Sequence, residues 1–149
     1  MKVSKFVLLG LLLAVKPLIA HDEGHGPKLS DTGKYGGLVS AIVNKKDAKL
    51  GAKAPLVYKA ELVRASDGKI MIYLYDSAMK PLDAVDIDKK ASVSMAFDKK
   101  GVESKSFEIT FDGKAFSGKM PEPAAKPYNL DFLFKAKDLE LLTAFDNLD

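Results

Sequence analysis

Short runs in which every second residue is apolar leave a chain few options other than β-strands, and this chain carries several of them. Ile70, Ile72 and Leu74 interleave with Met71, Tyr73 and Tyr75, a stretch apolar enough on both faces to be a central strand. Val93, Met95 and Phe97 alternate with Ser92, Ser94 and Ala96, while Phe107, Ile109 and Phe111 alternate with Glu108 and Thr110. Tyr128, Leu130, Phe132 and Phe134 form a similar row against Asn129, Asp131 and Lys135. These three patterns predict half-buried strands with one wet face. Ser66, Asp67 and Gly68, then Asp98 to Gly101, then Asp112 and Gly113 each fill a hairpin-sized gap between two such runs, so the spacing favours antiparallel neighbours.

Gly36 and Gly37 open a first strand through about Val43, Val57 to Arg64 gives the second, and Phe116 to Met120 and Leu139 to Phe145 supply two more short ones. Seven to eight short strands with turns at regular intervals predict an all-β fold, an antiparallel, immunoglobulin-like β-sandwich. A small closed barrel is the alternative arrangement. Asn44 to Pro55 and Met79 to Lys90 resist the alternation and read as loops, the second crossing from one sheet to the other. Pro121, Pro123 and Pro127 make a stiff extended link before the Tyr128 strand.

The amino-terminal stretch is of another kind. Lys2 and Lys5 precede an apolar run from Phe6 to Val15, and Pro17 to Ala20 leads into His21, the build of a signal peptide too short to span a bilayer. Cleavage after Ala20 divides the chain into a signal peptide (1–20), a flexible His/Gly leader (21–34) and a single β-domain (35–149), with a periplasmic or secreted destination. The sequence has no cysteine, which excludes lipoprotein anchoring and disulfides. No later apolar run reaches the length of a membrane span. Removing three lysines with residues 1–20 brings the basic residues to 20 against 20 acidic ones, which argues against nucleic acid as a partner.

Chemistry concentrates in the leader. A chain beginning at His21 offers a metal its α-amine and its imidazole, and His25 follows four residues on. Neutral imidazole suits copper, zinc and nickel, so His21 and His25 supply nitrogen donors, with Asp22 and Glu23 as oxygen donors, for copper or zinc. The plain counter-reading is a solvated tail, which binding would have to order. Met71, Met79, Met95 and Met120 carry thioethers suited to monovalent copper, but three of them fall at strand positions where packing explains them. Asp83, Asp86 and Asp88 lie close enough to gather round a hard cation, yet lack the EF-hand pattern and read as a solvated loop. Tyr58, Tyr73 and Tyr75 are candidates for an aromatic surface or for half-buried packing.

Both histidines sit in the leader, so the domain has no Ser-His or Cys-His pair, and no enzyme is expected. The leader (His21 to Pro27), the run Gly36 to Val39, the strand Lys69 to Asp76 with Lys80 to Leu82, and the closing Ala144 to Asp146 resemble small exported bacterial β-sandwich proteins. That resemblance implies an accessory of heavy-metal efflux systems, with a periplasmic efflux adaptor as partner. A weaker likeness is to CopC-type periplasmic copper carriers, whose mature chain also starts with histidine; it implies a copper-ligand role for His21 alone. The two function classes are therefore a metal-handling accessory and a structural or protein-interaction module with no metal role.

Overall fold

Eight antiparallel strands close into one barrel in the computed structural model, which describes residues 25–149. In chain order the strands are β1 (Leu38–Asn44), β2 (Tyr58–Arg64), β3 (Lys69–Tyr75), β4 (Lys90–Phe97), β5 (Lys105–Phe111), β6 (Ala115–Lys119), β7 (Tyr128–Ala136) and β8 (Leu139–Leu148). Every run that alternates in the sequence forms one of them. Their order around the wall is β1-β2-β3-β6-β5-β4-β7-β8, with β8 returning to β1.

The expected two-sheet sandwich is thereby corrected to the closed barrel that stood as its alternative. Two seams make the difference. β5 meets β6 through Thr110 opposite Ser117 and Phe111 opposite Phe116, and β1 meets β8 through Val43 opposite Leu142 and Asn44 opposite Leu141. Long ladders such as Ser92–Phe97 against Tyr128–Leu133 hold the rest of the wall together. Without the two short seams, the rows β1-β2-β3-β6 and β5-β4-β7-β8 would be the separate sheets of a sandwich.

Inward-facing residues explain the alternation. Ile42, Leu62, Ile70, Ile72, Val93, Met95, Ile109, Leu130 and Leu141 are buried in one core cluster. Its centre is aromatic: Phe116 packs edge-on to Phe132, with centroids 5.1 Å apart, and Phe132 stacks on Phe134 at 4.8 Å. Side chains fill this interior as they do in small barrels. Near the end of β8, Asn147 takes a positive φ of 56° and its N–H bonds to the Oδ1 of Asn129 at 2.8 Å. This irregularity turns Leu148 back toward the core opposite Tyr128.

The two stretches without alternation also have defined places. Lys45–Lys53 forms 3-10 turns, capped by the Asn44 side chain, and Ala48 and Ala54 pack with Val43 and Leu142 on the outside of the wall. Residues 76–89 cross one end of the barrel from β3 to β4. Leu82 and Ile87 pack against the core there, and Ile87 bridges to Ala136.

Candidate functional site

Residues 25–37 contain no strand or helix and run over the outer face of β1, β2 and β3. This segment, called the strap below, includes the described part of the leader. Its course is dictated by two charged residues of β2. Lys59 and Glu61 alternate with the core residues Ala60 and Leu62, so both point outward, where water would be expected. They are nevertheless only 7% and 0% exposed. Burial of that kind is tolerated only where partners meet the charge.

The strap supplies those partners. Asp31 accepts from the Lys59 ammonium through both carboxylate oxygens, at 2.9 and 2.8 Å. Glu61 accepts three backbone N–H groups, from Lys34 at 2.9 Å, Tyr35 at 2.7 Å and Gly37 at 2.9 Å, and the Tyr75 hydroxyl at 2.7 Å. Burial alone would push the Glu61 carboxyl up, but the Gly37 N–H, the Tyr75 hydroxyl and the N–H groups of Tyr35 and Lys34 together hold it below its ordinary value. Tyr75 is driven the other way, first by burial and then by its bond to the Glu61 carboxylate, so its hydroxyl keeps its proton.

Aromatic contacts complete the attachment. Tyr35 stacks on Tyr73 with centroids 4.0 Å apart, Lys114 lies 5.5 Å from the Tyr35 centroid, and Lys34 lies 5.5 Å from that of Tyr75. The outward tyrosines of β3, Tyr73 and Tyr75, thus lie against the strap. Close approach demands glycine at Gly33, where a side chain would run into the Glu61 carboxylate, and at two further points of the strap. A side chain at Gly37 would meet the Leu62 carbonyl and Glu61, and a Cβ on Gly26, at φ 147°, would lie 2.9 Å from the Ala41 Cβ.

At its beginning the strap reaches β8. His25 lines a hollow on the barrel wall with Ser40, Ala41, Ala52, Ala144 and Asp146. Ser40 donates to the Ala144 carbonyl at 2.7 Å across the β1–β8 seam beneath it. Of the predicted metal ligands, His25 is therefore placed against the wall, whereas His21, Asp22, Glu23 and the signal peptide lie outside the described residues. Among the described residues no three His, Cys, Asp or Glu side chains gather as a metal site. Asp146 is the carboxylate of this hollow, and no ligand pattern in the sequence pairs it with His25. It sits more than a hundred positions from His25, and only barrel closure brings β8 beside the strap.

The other candidates fall elsewhere. Met95 is buried in the core, Met120 packs against it, and the Met71 sulfur accepts the Tyr73 hydroxyl at 3.6 Å. Met79, half-buried, is held at φ 60° in a turn closed by the Asp76 carboxylate. Asp83, Asp86 and Asp88 are exposed on the crossing segment. Tyr58 packs against the core, Tyr75 is buried against Glu61, and Tyr73 lies under Tyr35. No helix among the described residues is long and apolar enough to cross a membrane. No family model matches the chain, nor does any curated protein or solved structure.

Proposed function

We propose that the protein is an exported, non-enzymatic metal-handling accessory that acts in the periplasm. In this reading it binds copper or a similar divalent ion through His21 and His25, with Asp22 and Glu23 as further donors, and serves an efflux or homeostasis system. The observation that carries the reading is the shared hollow of His25 and Asp146. An imidazole from the strap and a carboxylate from β8 that line one hollow, a few residues from a second histidine and a new α-amine, would offer a nitrogen-rich set with an oxygen donor, suited to divalent copper. Asp146 is then the ligand contributed by the barrel. The basic start, apolar run and small residue at position 20 support export.

The test is titration of the mature protein, its amino terminus verified by mass spectrometry, with divalent copper, followed by calorimetry and paramagnetic resonance. Stoichiometric binding with nitrogen hyperfine structure, lost in the double variant His21→Ala, His25→Ala, is the expected result. Weak binding that the double variant leaves unchanged would overturn the reading.

The second reading, a protein-interaction module, draws on a different place. Val85 is 82% exposed on the crossing segment, which the Lys137 N–H holds through the Asp86 carbonyl at 3.0 Å, and Leu139 at the start of β8 is also exposed. A closed barrel offers no free edge strand, so a partner would dock on exposed apolar side chains such as these. In this case Val85→Asp abolishes partner capture while His25→Ala does not.

A further inference from the structure

Lys45–Lys53 leads from β1 to β2 along the outside of the wall, and its side chains are sorted by size and charge. The small ones face inward: Ala48 is buried, as is Ala54 just beyond the segment, both packed with Val43 and Leu142. The long ones face out. Lys45, Lys46, Lys49 and Lys53 are exposed, and Leu50, the one large apolar residue of the segment, is 48% exposed beside the kink at Gly51. This is not a loose loop that could fold its leucine away, because the Asn44 side chain caps its start and the Ala54 N–H closes its end on the Gly51 carbonyl at 3.0 Å. Opposing charge is sparse. Asp47 is the segment's single acid, Glu140 of β8 lies 3.6 Å from Lys45, and Lys46, Lys49 and Lys53 make no ion pair among the described residues. Residues 21–149 as a whole carry 20 basic against 20 acidic side chains, so four lysines and one aspartate within nine residues are a local segregation of charge.

We propose that Lys45–Lys53 is a docking surface for an anionic phospholipid bilayer, with Leu50 entering the headgroup layer and Lys46, Lys49 and Lys53 lying over the lipid phosphates. A projecting apolar side chain among ammonium groups matches such a surface at both depths. The negative surface potential attracts the lysines, each of which strengthens attachment by about fivefold, and the boundary of headgroup and acyl chain takes the leucine out of water. An acidic protein face would meet the same lysines, but it would also need a pocket in register with Leu50. A bilayer offers charge and hydrocarbon in every register. Because Ala52 of this segment lines one hollow with His25 and Lys28, docking brings the strap alongside the membrane. Neither histidine takes part, so the inference stands apart from the metal reading.

The experiment sediments the mature protein, in the presence of a chelator, with vesicles of phosphatidylcholine alone or mixed equally with phosphatidylglycerol. The protein is expected to pellet with the mixed vesicles only, and to be released at about 0.5 M salt. The double variant Lys46→Gln, Lys49→Gln is expected to weaken attachment by about tenfold or more. Lys99→Gln with Lys100→Gln, the same loss of charge in the exposed turn between β4 and β5, should leave most of it. The chain has no tryptophan, so Leu50→Trp places a single reporter on the segment, and its emission is expected to move to the blue on mixed vesicles and not on phosphatidylcholine. Every altered side chain is exposed, so circular dichroism of the variants should match that of the wild type. Failure of the wild type to pellet with mixed vesicles overturns the proposal, as does an equal loss from the two lysine pairs. An unshifted tryptophan on vesicles that do carry the protein also overturns it, since Leu50 then stays in water. Binding to polyglutamate without binding to mixed vesicles would assign the segment to an acidic protein and overturn the lipid assignment.

Discussion

Thr143 brings a hydroxyl into the barrel core. It is fully buried on β8 between Leu141 and Phe145, and its Oγ1 has no hydrogen-bond partner among the described residues. A buried hydroxyl left unpaired costs about 1–3 kcal/mol. Thr143→Val keeps the shape and removes that cost, so urea unfolding of the variant is expected to show a stability gain of about 1 kcal/mol. Glu61 is the opposite case, a buried carboxylate met by four donors. Glu61→Gln sets an amide NH₂ against groups that can only donate in their present geometry, and is expected to lower stability by about 2–3 kcal/mol at neutral pH. The pH dependence has a definite sign. Because the folded protein holds the Glu61 carboxyl below its ordinary value of 4.5, the carboxylate's contribution is fully present above that value. It is lost as pH falls through the lower, folded value. Unfolding curves of wild type and Glu61→Gln should therefore draw together on the acid side and stay apart at neutral pH; a constant gap across that range would contradict the assignment.

At the level of the strand, alternation was a sound guide because side chains on a pleated wall really do change face at every residue. β4, β5 and β7 could be read almost to their ends from Val93, Ile109 and Phe132 and their neighbours. What alternation cannot convey is whether an outward face is wet. Lys59 and Glu61 look like solvent positions in a strand pattern, and only the strap, an irregular segment some two dozen residues earlier, makes them interior. Lys45–Lys53 was illegible for a related reason: its short 3-10 turns are held by Ala48 and Ala54 against Val43 and Leu142, contacts between small residues with no periodic signature. Asp146 stood in the closing stretch of the chain but in no metal-ligand pattern, since its place in the hollow of His25 is a product of closure. The β7 row also shows where packing is concentrated. Phe132 touches both Phe116 of β6 and Phe134, joining strands on opposite sides of the barrel. Phe132→Ala is expected to cost about 3–5 kcal/mol by thermal or urea unfolding, because the surrounding rings cannot collapse into the space.

For the molecule as a whole, the decisive feature is closure through short seams. The sandwich expectation failed there and nowhere else: both architectures share the strands, and they differ in whether β5 meets β6 and β1 meets β8. Such non-local pairings leave no mark in a local pattern. The same seams should be the least protected parts of the wall. Amide hydrogen exchange measured by NMR is expected to proceed faster at Val43, Asn44 and Ser117 than along the β4–β7 ladder or the β2–β3 ladder. Uniform protection around the barrel would show instead that it opens only as a unit.

Closure of β8 onto β1 also sets a timetable for the growing polypeptide. The first strand to be synthesised finds one of its two neighbours only when the last has been made, so a nascent chain carries an exposed β1 edge until residues 139–148 have left the ribosome. The barrel is sealed by its final strand, and a chain halted before it would present open edges to every other strand in its surroundings.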